Sequence, residues 1–289
     1  MEKLFVTGAT GHLGKSVVEQ LLEITAPENI VILARNSAKA NYFRSKGIDI
    51  RIGDYKNVVS LQKAFKGIDR VMLISASDPF TRLQQHMNVV DAAQISGVKH
   101  IVYTGVAIKN PDSSANQFLI QSHFRTESYI IKSELNYTFL RNNLYTDVIP
   151  MFVGEHVFDS GITLPTQEGK VAFALRREIG EAAGNVLVQS THQDKTYEIT
   201  GAAAYSFEDV ARELSLLSGK KISYNQLDSA AYSAHLRQLG VPDHFVQMLA
   251  AFTADIKNNR HAGISRDLEV LLGRKPAGLT EALKELYDL

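Results

Sequence analysis

The 289-residue sequence contains no cysteine and no tryptophan. The first absence excludes disulfides, thiolate nucleophiles, cysteine-ligated zinc and cysteine-bound iron–sulfur clusters together. Redox chemistry must then come from a borrowed cofactor, because the chain has no redox side chain of its own. Neither charge is in excess: 31 basic and 31 acidic residues leave a net charge of zero. Nucleic-acid binding through whole-chain charge is thereby excluded, although a local basic patch is not. No uninterrupted apolar run approaches the roughly 20 residues of a membrane span, so none is expected. Met1-Glu2-Lys3 runs straight into Leu4-Phe5-Val6 and a glycine-rich stretch, so no secretory leader is expected. A cytoplasmic enzyme or sensor acting on a small molecule remains.

What is present is a rhythm. Short β-branched runs at Lys3–Thr7, Asn29–Ala34, Asp49–Ile52, Arg70–Ile74, His100–Thr104 and Tyr137–Leu140 alternate with helical patterns. The helical stretches are Leu13–Glu23, Ala38–Lys46, Val58–Phe65, Leu83–Ser96 and Gln121–Ser133, with Gly47, Gly67 and Gly97 placed as C-caps. Runs apolar on both faces suit a buried parallel sheet. The pattern predicts an α/β fold, a Rossmann-like doubly wound parallel sheet, in residues 1–150. Residues 151–289 read as a smaller C-terminal α/β lobe for the substrate, some of whose pieces join the first domain. Strands are expected there at Thr196–Gly201 and Ile222–Asn225. Helices are expected at Arg177–Val188, Ser206–Ser218, Ala230–Leu239, Asp243–Ile256, Arg266–Leu272 and Leu279–Leu286. The stretch between Pro150 and Gly169 reads as loop. Met248, Leu249, Phe252 and Leu271 read as core.

The turn after the first strand reads Gly8-Ala9-Thr10-Gly11-His12-Leu13-Gly14. In a strand–turn–helix, such spacing gives a tight turn at the first glycine and close backbone approach to a pyrophosphate at the second. The third glycine then permits close helix packing. Free N–H groups at the helix start complete a phosphate site, to which His12 is expected to lend only its backbone. The second strand ends in Arg35-Asn36-Ser37 with Lys39 beyond, where NAD-binding proteins commonly place a carboxylate. Arg35 and Lys39 suit the 2′-phosphate of NADPH, with NADH as the alternative cofactor. Asp54 and Tyr55 follow the third strand, in a position suited to adenine. Ser75, Ala76 and Ser77 follow the fourth and are small enough for a dinucleotide to cross them.

These pieces resemble the short-chain dehydrogenase/reductase superfamily. Within it they are most similar to the atypical NmrA-like branch and its NAD(P)H:quinone oxidoreductase members. The resemblance rests on Val6–Gly11, Ala34–Ala40, Gly53-Asp54-Tyr55, Leu73-Ile74-Ser75, Gln85–Val90, Ala93–Lys99 and Leu140-Arg141-Asn142. Tyr197–Gly201 and Leu217–Lys220 extend it over nearly the whole chain. The superfamily's usual Tyr and Lys four residues apart, which together pass a proton, find no match on the relevant helix. His123 and Glu127 stand at that spacing, whereas Tyr129 and Lys132 are three apart. This counts against alcohol dehydrogenation and sugar-nucleotide epimerisation, which begin by removing a hydroxyl proton.

The resemblance places a catalytic Ser or Thr at Thr104, which either touches substrate or carboxamide or merely caps its strand. His123 either donates to a quinone oxygen or makes a surface contact with Glu127. The two alone are no metal site, and none is expected. The resemblance also puts Asn142, Asn143, Leu144 and Tyr145 at the nicotinamide and substrate, with Tyr145 as an aromatic face or a core residue. Phe80 and Phe152 are further wall residues or plain packing. The function implied is NADPH-dependent hydride transfer to a quinone or similar electron-poor acceptor. Two alternatives stay open: a non-catalytic NADP(H) sensor that reports to a protein partner, and a reductase of another conjugated acceptor such as an arylmethane dye. Association of copies is also left open.

Overall fold

Strands Leu4–Val6 (β1), Ile30–Ala34 (β2) and Arg70–Leu73 (β4) are buried at every position. Such burial requires a sheet covered on both faces. The computed structural model describes residues 2–289; Met1, where the leader-free start was read, lies outside them. Between the strands run α1 (His12–Ile24), α2 (Asn41–Arg44), β3 (Asp49–Ile52) and α3 (Val58–Ala64). Then come α4 (Arg82–Ile95), β5 (His100–Val106), α5 (Gln117–Lys132) and β6 (Asn136–Asn142). Seven parallel strands form one sheet in the order β3-β2-β1-β4-β5-β6-β9, where β9 is Lys195–Ile199. The chain reverses direction of travel between β1 and β4, and ligands of such sheets bind outside the carboxyl ends of the strands at that point.

One face of the sheet packs on α1 and α8 (Arg176–Val188), through Val17, Leu21, Ala183 and Leu187. The other packs on α3, α4 and α5 through Leu61, Phe65, Val89 and Ile130. The smaller lobe holds α6 (Ile149–Val153), α7 (Val157–Ser160), β7 (Ile162–Leu164), β8 (Lys170–Val171), β10 (Tyr205–Ser206) and α9 (Phe207–Ser218). It continues with β11 (Tyr224–Gln226), α10 (Ser229–Gln238), α11 (Asp243–Lys257) and α13 (Leu279–Tyr287), while α12 (Asp267–Leu272) packs with α8 and β9. Its two small sheets pair β7 with β11 and β8 with β10 around a core of Phe152, Phe173, Phe207 and Leu249. Among the described residues no helix is long and apolar enough to cross a membrane.

Two local expectations change. Residues 38–46 form a 3₁₀ turn at Ser37–Ala40 followed by the one-turn α2, rather than one helix. Only Ala40 and Phe43 are buried there, too narrow a stripe to hold a longer helix on the core. The stretch from 150 to 169 is not plain loop, since α6, α7 and β7 lie within it. Elements of three to five residues are too short to display a period.

Candidate functional site

The β1–α1 turn is shaped by two glycines. Gly8 has φ of 61°, in the left-handed region. A Cβ on Gly14 would stand 2.3 Å from the Gly8 carbonyl oxygen, so α1 packs against its own turn only because position 14 has no side chain. Gly11 caps α1 without a side-chain hydrogen bond, and Gly8, Thr10, Gly11 and His12 are exposed while Leu13 and Gly14 are buried. The helix start therefore offers its first N–H groups outward, with the positive end of the helix dipole behind them.

Arg35 and Lys39 lie exposed beyond β2, and Asn36 accepts a hydrogen bond from the Ala38 N–H at 2.8 Å to fix the bend between them. Beyond β3, Asp54 accepts from the Lys56 N–H at 2.8 Å. Tyr55 turns its hydroxyl inward, between Thr7 Oγ1 and the Ile74 carbonyl at 2.9 Å. Burial pushes that phenol well above its usual range. Thr7 also donates to the Met72 carbonyl at 2.9 Å and accepts from the Ile74 N–H at 3.1 Å. The Tyr55 and Thr7 side chains thus tie together the ends of β1, β3 and β4. The Tyr55 hydroxyl is spent inside, and its ring packs against the core on that side of the sheet.

Thr104 is 2 % exposed, and its Oγ1 accepts from the Ser75 N–H at 2.8 Å. A direct contact of this hydroxyl with a substrate is not what the geometry offers; it anchors the segment after β4. His123 is 6 % exposed, with Nε2 3.1 Å from an Arg82 nitrogen and Nδ1 2.8 Å from the Tyr103 hydroxyl. Burial and the Arg82 charge hold its pKa well below the ordinary value. A neutral ring with both nitrogens engaged cannot donate to an acceptor, so the expected proton-donor role has no geometric support. Nor is His123 in a surface pair with Glu127, which binds Arg141 in a two-pronged ion pair at 3.0 and 2.7 Å. Tyr129 is turned to α4 and donates to Asp91 at 2.6 Å.

At the end of β6, Asn142 Nδ2 donates to the Tyr145 hydroxyl at 3.3 Å, while Asn142 Oδ1 is buried without a partner. The Tyr145 ring lies 4.9 Å beneath the Arg176 guanidinium, and burial raises its pKa. Asn143 is committed to structure: it donates to the His261 carbonyl at 2.9 Å and accepts from the Leu144 N–H at 2.8 Å. Leu144 packs against the core of the smaller lobe. Phe152 is buried in that core against Phe207, whereas Phe80 is 79 % exposed and rests on Phe118 with ring centroids 5.5 Å apart.

Next to Asn143 opens a cleft of about 270 Å³, between the ends of β5, β6 and β9 and the segment joining α11 to α12. Ile108, Lys109, Glu198, Thr200, Arg260 and Ile264 line it. Glu198 is bonded to Arg141 at 3.2 Å, yet burial still raises its pKa. Asp255, inside the wall, lies 3.5 Å from Arg260 and accepts from Ser114 at 2.5 Å and the Ala115 N–H at 2.7 Å, pinning the β5–α5 loop. Sequence reading missed these cleft residues; of them, Arg260 and Ile264 lie on the segment that joins α11 to α12, which has no periodicity. It also missed Arg82, His86, Tyr103 and Thr126, polar side chains on otherwise apolar buried faces.

The NmrA-like family matches residues 1–282 of the chain. Quinone oxidoreductase 2 of Escherichia coli (strain K12) is 33 % identical over 285 residues, 98 % of each chain. The crystal structure of the Escherichia coli NADPH-dependent quinone oxidoreductase complexed with NADPH superposes with a TM-score of 0.90 at 33 % identity. That match covers 98 % of this chain and 99 % of the other. Citrobacter sp. triphenylmethane reductase complexed with NADP(H) gives a TM-score of 0.91 at 36 % identity, over 98 % of this chain and 100 % of the other.

Proposed function

The chain belongs to the NmrA-like family, and we propose that it is an NADPH-dependent oxidoreductase that passes a hydride to a quinone or a similarly electron-poor ring. The observation that carries this reading is the unpartnered Asn142 Oδ1. It sits at the end of the edge that begins at Arg35 and passes the Gly8 turn, and the cleft opens just beyond it. A buried acceptor without a donor is costly, and the carboxamide of a nicotinamide would supply one. The start of α1 suits the pyrophosphate, and Arg35 and Lys39, with no carboxylate beside them, suit a 2′-phosphate. These residues fit NADPH and favour it over NADH.

Bound NADPH supplies a hydride from C4 of its nicotinamide. The chain's own part is to bind and orient. Gly8, Thr10, Gly11, His12, Leu13 and Gly14 hold the phosphates, and Asp54 and Tyr55 flank the adenosine side. Ser75, Ala76 and Ser77, anchored by Thr104, support the nicotinamide side, with Asn142, Leu144 and Tyr145 across from them. The acceptor enters the cleft beside Asn143. No tyrosine and lysine four apart stand on α5 to move a proton, and an electron-poor ring has little need of them. The reduced ring takes its proton from water through the open cleft, and rate comes from holding two rings in near-attack geometry. The acceptors named for the relatives, quinones and triphenylmethane dyes, are of this kind. We place the enzyme in the cytoplasm, where NADPH serves as a soluble reductant.

The test follows NADPH absorbance with a panel of quinones and arylmethane dyes. Acceptor-dependent consumption is expected. Tight NADPH binding without turnover on any of them would leave a sensor instead.

A further inference from the structure

Five hydrogen bonds form two arms that both begin on Ala76. Its N–H donates to His86 Nε2 at 2.9 Å, and His86 Nδ1 meets Thr126 Oγ1 at 2.9 Å. Arg82 takes the Ala76 carbonyl through Nε at 2.6 Å and reaches His123 Nε2 at 3.1 Å, and His123 Nδ1 meets the Tyr103 hydroxyl at 2.8 Å.

The Ala76 N–H and the Arg82 guanidinium fix the protons on both histidines. A backbone N–H and a guanidinium only donate, so both histidines must accept at Nε2 and carry their proton on Nδ1. His86 then donates to Thr126, and His123 to Tyr103. Thr126 passes its proton to the Ser122 carbonyl at 2.8 Å, ending the chain. No member can change protonation without breaking a bond. Arg82 is 7 % exposed, and no described carboxylate lies within ion-pairing distance of it. Burying a lone guanidinium is expensive. All of this expense converges on one residue of the segment after β4, whose preceding N–H is already held by Thr104.

We propose that Arg82, His86, Tyr103, His123 and Thr126 form a positioning network that presets the Ser75–Ser77 segment as a rigid support for the nicotinamide half of the dinucleotide. The Ser75 and Ala76 N–H groups are thereby spent inside the protein and are not offered to a ligand. The five residues act through Ala76 and touch neither cofactor nor acceptor. The inference rests on the NADPH reading above, but not on the identity of the acceptor.

The test measures affinity for NADPH and for 2′,5′-ADP, which carries the 2′-phosphate and lacks the nicotinamide. Thr126→Val removes the end of the His86 arm at constant shape. NADPH should bind about tenfold more weakly, the effect of one or two loosened hydrogen bonds, with 2′,5′-ADP affinity within about twofold of the parent. His86→Gln, whose amide oxygen can still accept from Ala76, should recover most of the loss seen in His86→Ala. If Thr126→Val does not fold, Tyr103→Phe removes the end of the arm that runs from Ala76 through Arg82 and His123, and should show the same split. Unchanged NADPH affinity in a folded variant overturns the proposal, and so does a parallel loss of both ligands, which marks a merely structural role. A parent protein that binds neither ligand overturns the NADPH reading itself.

Discussion

Asn142 gives its side-chain N–H to the Tyr145 hydroxyl at 3.3 Å and keeps its carbonyl oxygen buried and unsatisfied. The donor side holds the amide in place and leaves the acceptor side without a donor. On the NADPH reading, Asn142→Ala removes the oxygen that would accept from the carboxamide, and is expected to slow single-turnover hydride transfer from NADPH to 1,4-naphthoquinone by about tenfold or more, the cost of a lost hydrogen bond in a dry site. Asn142→Asp keeps an acceptor and should lose less of the nicotinamide contact, with the Tyr145 hydroxyl turning to donate to the carboxylate. Stopped-flow traces that match the parent for Asn142→Ala would remove this residue from the site.

Arg35 separates the two dinucleotides. It follows β2 exposed, with a second cation at Lys39 and no carboxylate between them. A guanidinium paired with a phosphate contributes about 1.5–3 kcal/mol. Arg35→Ala is therefore expected to weaken NADPH by about ten- to a hundredfold while changing NADH by less than about threefold. Equal losses, read by fluorescence titration of each, would place the 2′-phosphate elsewhere.

The difference between what was legible in the sequence and what was not follows from distance along the chain. Gly8 and Gly14 do their work within one turn, so their spacing alone states it. The strands could be read because β1, β2 and β4 are apolar on both faces. The positioning network could not. Its members come from α4, β5 and α5, as many as 44 residues apart counting from Arg82 to Thr126, and meet only once those elements pack. Helix α4 turns Arg82, Gln85 and His86 inward, against the rule that places polar residues outside. His123 stands out in the sequence because it and Glu127 occupy the four-residue spacing of the absent Tyr/Lys pair, but its surroundings become visible only once Tyr103 and Arg82 are placed. The cleft was illegible for the opposite reason: Arg260 and Ile264 lie on an irregular segment, where sequence offers no period to read.

Gly14 is a matter of space. Its absent Cβ would meet the Gly8 oxygen at 2.3 Å and the Ala9 Cα at 2.6 Å, both backbone. Neither can rotate away, so Gly14→Ala must open the turn. Such overpacking costs about 1–3 kcal/mol. The urea midpoint should fall with an unchanged slope, and NADPH affinity should fall with it because the turn holds the phosphates. A midpoint equal to the parent's would show that the turn tolerates a wider crossing of α1.

Acid should unfold the protein through its buried histidines. Burial lowers His86 to a pKa of about 3 and His100 and His261 to about 4, and holds His123 well below its ordinary value. In the unfolded chain each titrates near 6.5. The folded values are depressed, so the stability tied to neutral rings is fully present above about pH 6.5. It is lost as pH falls from there toward about 4, where the unfolded chain binds protons that the folded one refuses. Carboxylates lowered by hydrogen bonds, such as Asp69 and Asp209, act only below their ordinary range, whereas Glu198, raised by burial, opposes the histidines at the lower end of the window. Near pH 5 unfolding should take up about four protons, each worth about 1.4 kcal/mol per pH unit. His261→Leu, which replaces a ring packed beside Phe252, should reduce that uptake by about one and raise stability at pH 5 relative to the parent. The measurement is the slope of unfolding free energy against pH from 7 to 5. A slope below one proton would mean that the four rings titrate in the folded protein much as they do in water.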